Sequence, residues 1–158
     1  MTTADRWLAG TAIGCVAAVG AALVSQHAFD MQPCPWCVLQ RVIFLAIAIA
    51  CVIGLAWRSR AGLRVGTSLG LLLALGGIAA ALWQHFQAAA SASCNLTLAD
   101  KIVSRWLQLD QWLPDVFEAR ASCADAAVSL LGIAYDFWSL ALFALAAVAL
   151  LTAQRARR

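Results

Sequence analysis

Four long blocks, residues 7–26, 38–57, 65–88 and 137–153, hold one arginine, one histidine and no acidic residue between them. A helix crosses the hydrocarbon core of a bilayer with about 20 mostly apolar residues, and each block is close to that length or beyond it. The 158-residue chain is 63% hydrophobic and 12% charged, with a mean hydropathy of +0.82. Soluble domains carry about twice that charged share. The blocks therefore predict an all-α integral membrane protein with four spans. Arg6 ahead of the first block imitates the start of a secretory signal. That block is longer than a typical signal core and leads quickly into a second span, so it reads as a retained helix.

Charge placement orients the chain. Arg58, Arg60 and Arg64 crowd the link 58–64, Arg155, Arg157 and Arg158 close the chain, and Arg6 opens it. In the connections 27–37 and 89–136, Lys101, Arg105 and Arg120 are outnumbered by Asp100, Asp110, Asp115, Glu118 and Asp125. Positive residues in short loops stay in the cytoplasm. Both termini and the link 58–64 are thus expected inside, and the other two connections outside. Residues 1–158 are expected to form a single up-down-up-down domain. Gly10, Gly14 and Gly20 in the first span, and Gly70, Gly76 and Gly77 in the third, would let helices approach closely.

The longer outer connection has its own period. Ile102, Val103, Trp106, Leu107, Leu109 and Leu113 recur at helical spacing opposite Asp100, Lys101, Ser104, Arg105, Gln108 and Gln111. Too short and polar to span, and ended by Pro114, it predicts an amphipathic helix lying in the interface, with Trp106 and Trp112 at headgroup depth. An ordinary helix capping the bundle is the alternative.

Cys34-Pro35-Trp36-Cys37 stands at the mouth of the second span, with Cys94 and Cys123 in the other outer connection. All four cysteines fall where disulfides persist; Cys15 and Cys51 lie within spans and read as small packing residues. A c-type haem needs His after the second cysteine, and Val38 is there. A zinc site usually pairs two closely spaced motifs, which Cys94 and Cys123 do not supply. Structural disulfides remain open as an alternative, the chain then being a non-catalytic membrane protein. Redox chemistry fits the local pattern better. If the second span starts near Pro35, Cys37 sits in its first turn, where unpaired N–H groups and the helix dipole favour a thiolate. Arg41 follows one turn later on the same face and would stabilise that anion or polarise an acceptor's carbonyl oxygen. A charge in the apolar core costs about 2.5–3.5 kcal/mol on insertion scales, so Arg41 invites a functional explanation, against simple snorkelling to headgroups. His85, beside Trp83 and Gln84, ends the third span at a depth similar to Gln26 and His27 in the first. It reads as a structural hydrogen-bonder or as a second group beside a quinone head.

With these residues in place, the chain resembles the disulfide bond formation protein B (DsbB) family over nearly its whole length. The resemblance rests on Pro33-Cys34-Pro35-Trp36-Cys37 followed by Gln40-Arg41, on Ala92-Ser93-Cys94, and on Trp106 with Leu109-Asp110-Gln111-Trp112-Leu113-Pro114. His85 matches a histidine which that family keeps near its quinone. The Pro-Trp between the cysteines is this chain's own choice, and Cys15 and Cys51 have no counterpart role. The resemblance implies a bacterial inner-membrane enzyme that reoxidises a periplasmic DsbA-like thiol oxidase and passes the electrons to a membrane quinone, ubiquinone or menaquinone. It implies that Cys94–Cys123 is attacked by the reduced oxidase at Cys94, and that Cys123 then attacks Cys34. Cys37 leaves as a thiolate and engages a quinone held by Arg41 and His85. A DsbA-type oxidase is more oxidising than glutathione pools, a property of that protein and not of this chain, so its electrons need a stronger sink. Neither a metal nor a nucleic acid is expected.

Overall fold

Each apolar block becomes one helix, extended beyond the block because polar residues at its ends cap it. The computed structural model describes residues 2–57, 59–88 and 98–156. Arg58, Cys94, Arg157 and Arg158 lie outside the described residues. Helix α1 (Thr3–Phe29) opens with a capping box in which Thr2 Oγ1 accepts from the Asp5 amide and the Asp5 carboxylate accepts from the Thr2 amide. It closes at Asp30, which turns the chain with φ 53°. Helix α2 spans Pro35–Ala56, and α3 spans Arg60–Trp83 behind a Ser59 cap. A π-helical turn, Gln84–Ala88, prolongs α3. After short pieces described below, α7 (Tyr135–Arg155) completes the set. All four long helices are long and apolar enough to cross a membrane.

The helices close a ring: α2 packs on α1 and α3, and α7 packs on α3 and α1. This is the expected four-span bundle. Its interior is built mostly of small and medium side chains, with Leu8, Cys15, Ile47, Cys51 and Leu150 buried, and Phe44 stacked on Phe143 at 3.9 Å between centroids. Cys15 and Cys51 are packing residues in this cluster, as their position in the spans predicts. Ile13, Val16, Leu72, Leu145 and Val148 point outward, an inside-out pattern that lipid tolerates and water would not. Among the glycines, the expected close approach holds for Gly70 and Gly77, while nothing approaches Gly10, Gly14, Gly20 or Gly76. The tightest backbone contact is one the sequence pattern did not single out: a Cβ on Gly66 would stand 2.7 Å from Ala50 O and 2.8 Å from Gly54 Cα. A Cβ on Gly77 would collide with the Phe143 ring. Gly77→Val is expected to destabilise the bundle by about 1–3 kcal/mol through overpacking. Thermal unfolding in detergent checks this, with Gly76→Val as the neutral control.

Between α3 and α7 the chain is less regular than its periodicity predicts. Helix α4 (Leu98–Asp100) runs into a second π-helical turn, Lys101–Trp106. Gln108, at φ 50°, then breaks the helix. Short helices α5 (Leu109–Trp112) and α6 (Pro114–Phe117) follow, so the helical stretch ends before Pro114 as expected, and Pro114 then opens a further short helix. The single amphipathic helix is thus corrected to two short pieces divided at Gln108. A π turn holds more residues per turn than an α turn, so it shifts the phase of the apolar stripe. Val103 points inward, whereas Trp106 and Trp112 are 73% and 79% exposed. The strands β1 (Ser129–Leu130) and β2 (Ile133–Ala134) form an unforeseen antiparallel hairpin. Its two-residue turn needs positive φ at both Leu131 (56°) and Gly132 (81°), which glycine provides without strain at the second position.

Candidate redox site at the loop-bearing end of the bundle

Proline fixes where α2 begins, and that decides the geometry of the sulfur pair. Pro35 occupies the first helical position, so Cys34 becomes the N-cap, with φ −87° and ψ 167°. The cap acceptor is the Cys34 sulfur itself, which takes the Cys37 amide N–H at 3.2 Å. One helical turn brings the two sulfurs within 2.7 Å of each other. The start at Pro35 agrees with the sequence expectation. The free amide expected to serve Cys37 goes instead to Cys34, and the Cys37 sulfur receives Gln84 Nε2 at 3.4 Å. The hydrogen bond to the Cys37 sulfur, followed by burial, pushes the Cys34 thiol well above the usual range.

Arg41 does not snorkel. It is 5% exposed and donates through Nη1 to Gln26 Oε1 and to Val116 O, each at 2.8 Å, with Nη2 3.5 Å from Ala22 O. It thus joins α1, α2 and α6. These acceptors are all neutral, and among the described residues no carboxylate pairs with it. A buried cation without a counter-ion keeps its field for whatever negative charge develops nearby.

Cys37, Gln40 and Arg41 line a cavity of about 200 Å³ between α1, α2 and α7. Ala18, Val19, Phe44 and Leu142 make its apolar walls, while Gln84, Tyr135 and Asp136 add polar groups. His85 is not on this wall. Its Nδ1 lies 2.7 Å from Asp136 Oδ2, and its ring packs against Phe86 and Phe137. The histidine therefore reaches the cavity only through Asp136. An apolar slot with a guanidinium and a sulfur at one end suits a flat ring bearing carbonyl oxygens.

The second connection is tied directly to the first. The amides of Arg120 and Ala121 donate to Pro33 O at 3.0 and 3.2 Å. Cys123 is disulfide-bonded and buried in the same apolar cluster as Cys34, alongside Val103 and Phe117. Of the sequence-predicted site residues, Cys34, Cys37, Arg41 and Cys123 therefore gather at one end, His85 stands one side chain away, and Cys94 lies outside the described residues.

The family model for disulfide bond formation protein DsbB matches residues 4–153. The chain belongs to the DsbB family. A disulfide bond formation protein B 1 from Pseudomonas savastanoi pv. phaseolicola is 39% identical over 146 residues, covering 90% of this chain and 85% of its relative. Disulfide bond formation proteins B from Aromatoleum aromaticum and Ralstonia nicotianae are each 36% identical, covering 85% and 89% of this chain and 82% and 88% of their own. This DsbB-family chain is a multi-pass membrane protein whose work is disulfide bond formation. Sequence reasoning gave no role to the amides Gln40 and Gln84, nor to Asp136. The available signal was a glutamine near the end of an otherwise apolar span, since an amide in hydrocarbon needs a partner.

Proposed function

We propose that this protein is an inner-membrane protein dithiol:quinone oxidoreductase that reoxidises a periplasmic DsbA-type thiol oxidase. The observation that carries the reading is the Cys34–Cys37 pair at the start of α2, opening onto an Arg41-lined apolar cavity and hydrogen-bonded through Pro33 to the segment that bears Cys123. Both termini are taken as cytoplasmic, from the arginines at the chain ends and in the link 58–64. Exposed Trp106 and Trp112 suit the membrane interface.

A thiolate of the reduced oxidase attacks the Cys94–Cys123 disulfide at Cys94, forming a mixed disulfide and freeing Cys123. Cys123 then attacks Cys34: a Cys34–Cys123 bond forms, the Cys34–Cys37 bond breaks, and Cys37 leaves with the electron pair. The amide that caps onto Cys34 and the turn that aligns the sulfurs hold this pair for in-line exchange. Arg41 stabilises the negative sulfur and donates to a carbonyl oxygen in the cavity. His85 and Asp136 form the nearest proton-carrying pair, with Asp136 facing the cavity. The oxidase's second thiol attacks its mixed disulfide and releases Cys94; Cys94 attacks Cys123, which re-forms their bond and frees Cys34. Cys34 then closes on Cys37, and the two electrons and two protons given up at this pair would go to a quinone held in the cavity, as quinol. Over the full cycle the oxidase dithiol becomes a disulfide, and both pairs in this chain return to disulfides.

Thiol trapping in quinone-depleted membranes tests this. On addition of reduced oxidase, Cys34, Cys37, Cys94 and Cys123 should all become labelled, and re-adding quinone should close them again. Pairs that stay closed in both conditions would contradict the reading and favour structural disulfides.

A further inference from the structure

Two glutamines that face each other across the bundle end at the reacting sulfur. Gln40 Nε2 donates to Gln84 Oε1 at 2.7 Å, which leaves Gln84 Nε2 directed at Cys37 Sγ, 3.4 Å away. Both side chains are buried and both line the cavity. Buried amides are costly unless hydrogen-bonded, so the pair occupies a defined arrangement. Gln84 is also where α3 changes to a π-helical turn. Such turns re-aim side chains and collect at functional sites.

We propose that Gln84 is the hydrogen-bond donor that holds Cys37 as a thiolate, and that Gln40 is the positioning residue that fixes its amide. The inference deepens the thiol–quinone reading and rests on it. A neutral thiol is a weak acceptor, whereas a bond to a thiolate is charge-assisted, so an N–H aimed at the sulfur favours the ionised form. Arg41 acts on the sulfur through its charge rather than through a hydrogen bond: its bonds run to Gln26, Val116 and Ala22, which leaves further N–H groups for a carbonyl oxygen in the cavity. Among the described residues, Gln84 supplies the side-chain N–H that reaches Cys37. The other charged or titratable groups around the sulfur are Cys34 and Arg41 on the same chain segment, and Tyr135 and Asp136 on α7; the α1 side chains on the cavity wall are neutral. When the Cys34–Cys37 bond opens, the electron pair stays on Cys37, and the Gln84 amide donates its N–H to that sulfur. Stabilising this product makes the disulfide more oxidising, which favours accepting electrons from a strongly oxidising partner.

The test titrates Cys37 in the full-length reduced protein, by pH-dependent alkylation read by mass spectrometry. Gln84→Met should raise the Cys37 pKa by about one unit, about tenfold less thiolate at a pH below both values. Gln40→Met should raise it less, and Gln84→Glu more, since an ionised carboxylate repels the thiolate. At a pH above both values, where the reduced form carries the thiolate, the Cys34–Cys37 potential should fall by about 30 mV for that tenfold change. If Gln84→Met lowers the folded yield, Gln84→Leu gives the same reading. A Cys37 titration in the apolar Gln84 variants that superimposes on the parent overturns the proposal, whatever Gln84→Glu does. Neither quinone nor oxidase is needed, so this result stands apart from any failure of the quinone reading.

Discussion

Cys37→Ser is expected to abolish quinone reduction while leaving capture of the reduced oxidase intact. Serine fills the same space and can keep the helix start at Pro35, but its hydroxyl closes no disulfide with Cys34 and leaves no thiolate beside Arg41. Capture depends on Cys94 and Cys123, which belong to the other connection. A mixed disulfide with the oxidase should therefore still form, and it should accumulate because the electrons have nowhere to go. Quinone absorbance on addition of reduced oxidase reads the first half, and non-reducing electrophoresis reads the second. Loss of capture together with reduction would contradict the division of labour between the two sulfur pairs.

Arg41→Met gives the second large effect. Methionine preserves much of the packing and removes the only charge in α2. The account expects kcat/KM for quinone to fall about 10²–10³-fold, the scale of losing one preorganised donor at a developing charge. Oxidation of the partner in a single turnover, before quinone is needed, should change far less. Because the guanidinium also ties α1 to α6 through Gln26 and Val116, some loss of stability is expected as well. Steady-state and single-turnover assays separate the two contributions. Equal losses in both assays would make Arg41 a structural clasp.

The parts of this molecule that were readable from sequence are those set by strong local physics. Uncharged blocks long enough to span can only be helices in lipid, because each backbone polar group must be satisfied within the segment. Proline at 35 fixes the start of α2 and so places Cys34 and Cys37 within one turn. Longer-range features were not legible. The stripe from Ile102 to Leu113 looks continuous at a period of 3.6, but a π turn and a left-handed Gln108 divide it. Glycines are equivalent in sequence, yet Gly66 and Gly77 are pressed against neighbours while Gly14 and Gly76 face open space. The chain from Gln40 through Gln84 to Cys37 depends on which helix faces which, information that no single span carries. Arg41 was visible as an anomaly, but its neutral partners on α1 and α6 were not.

The most direct test is a stopped assay with purified protein in detergent, supplied with a quinone and started with the reduced thiol oxidase. The account predicts one quinol formed for each oxidase disulfide generated, with turnover dependent on Cys34 and Cys37. Oxidase disulfides formed without matching quinol, or no electron transfer at all by folded protein, would contradict it.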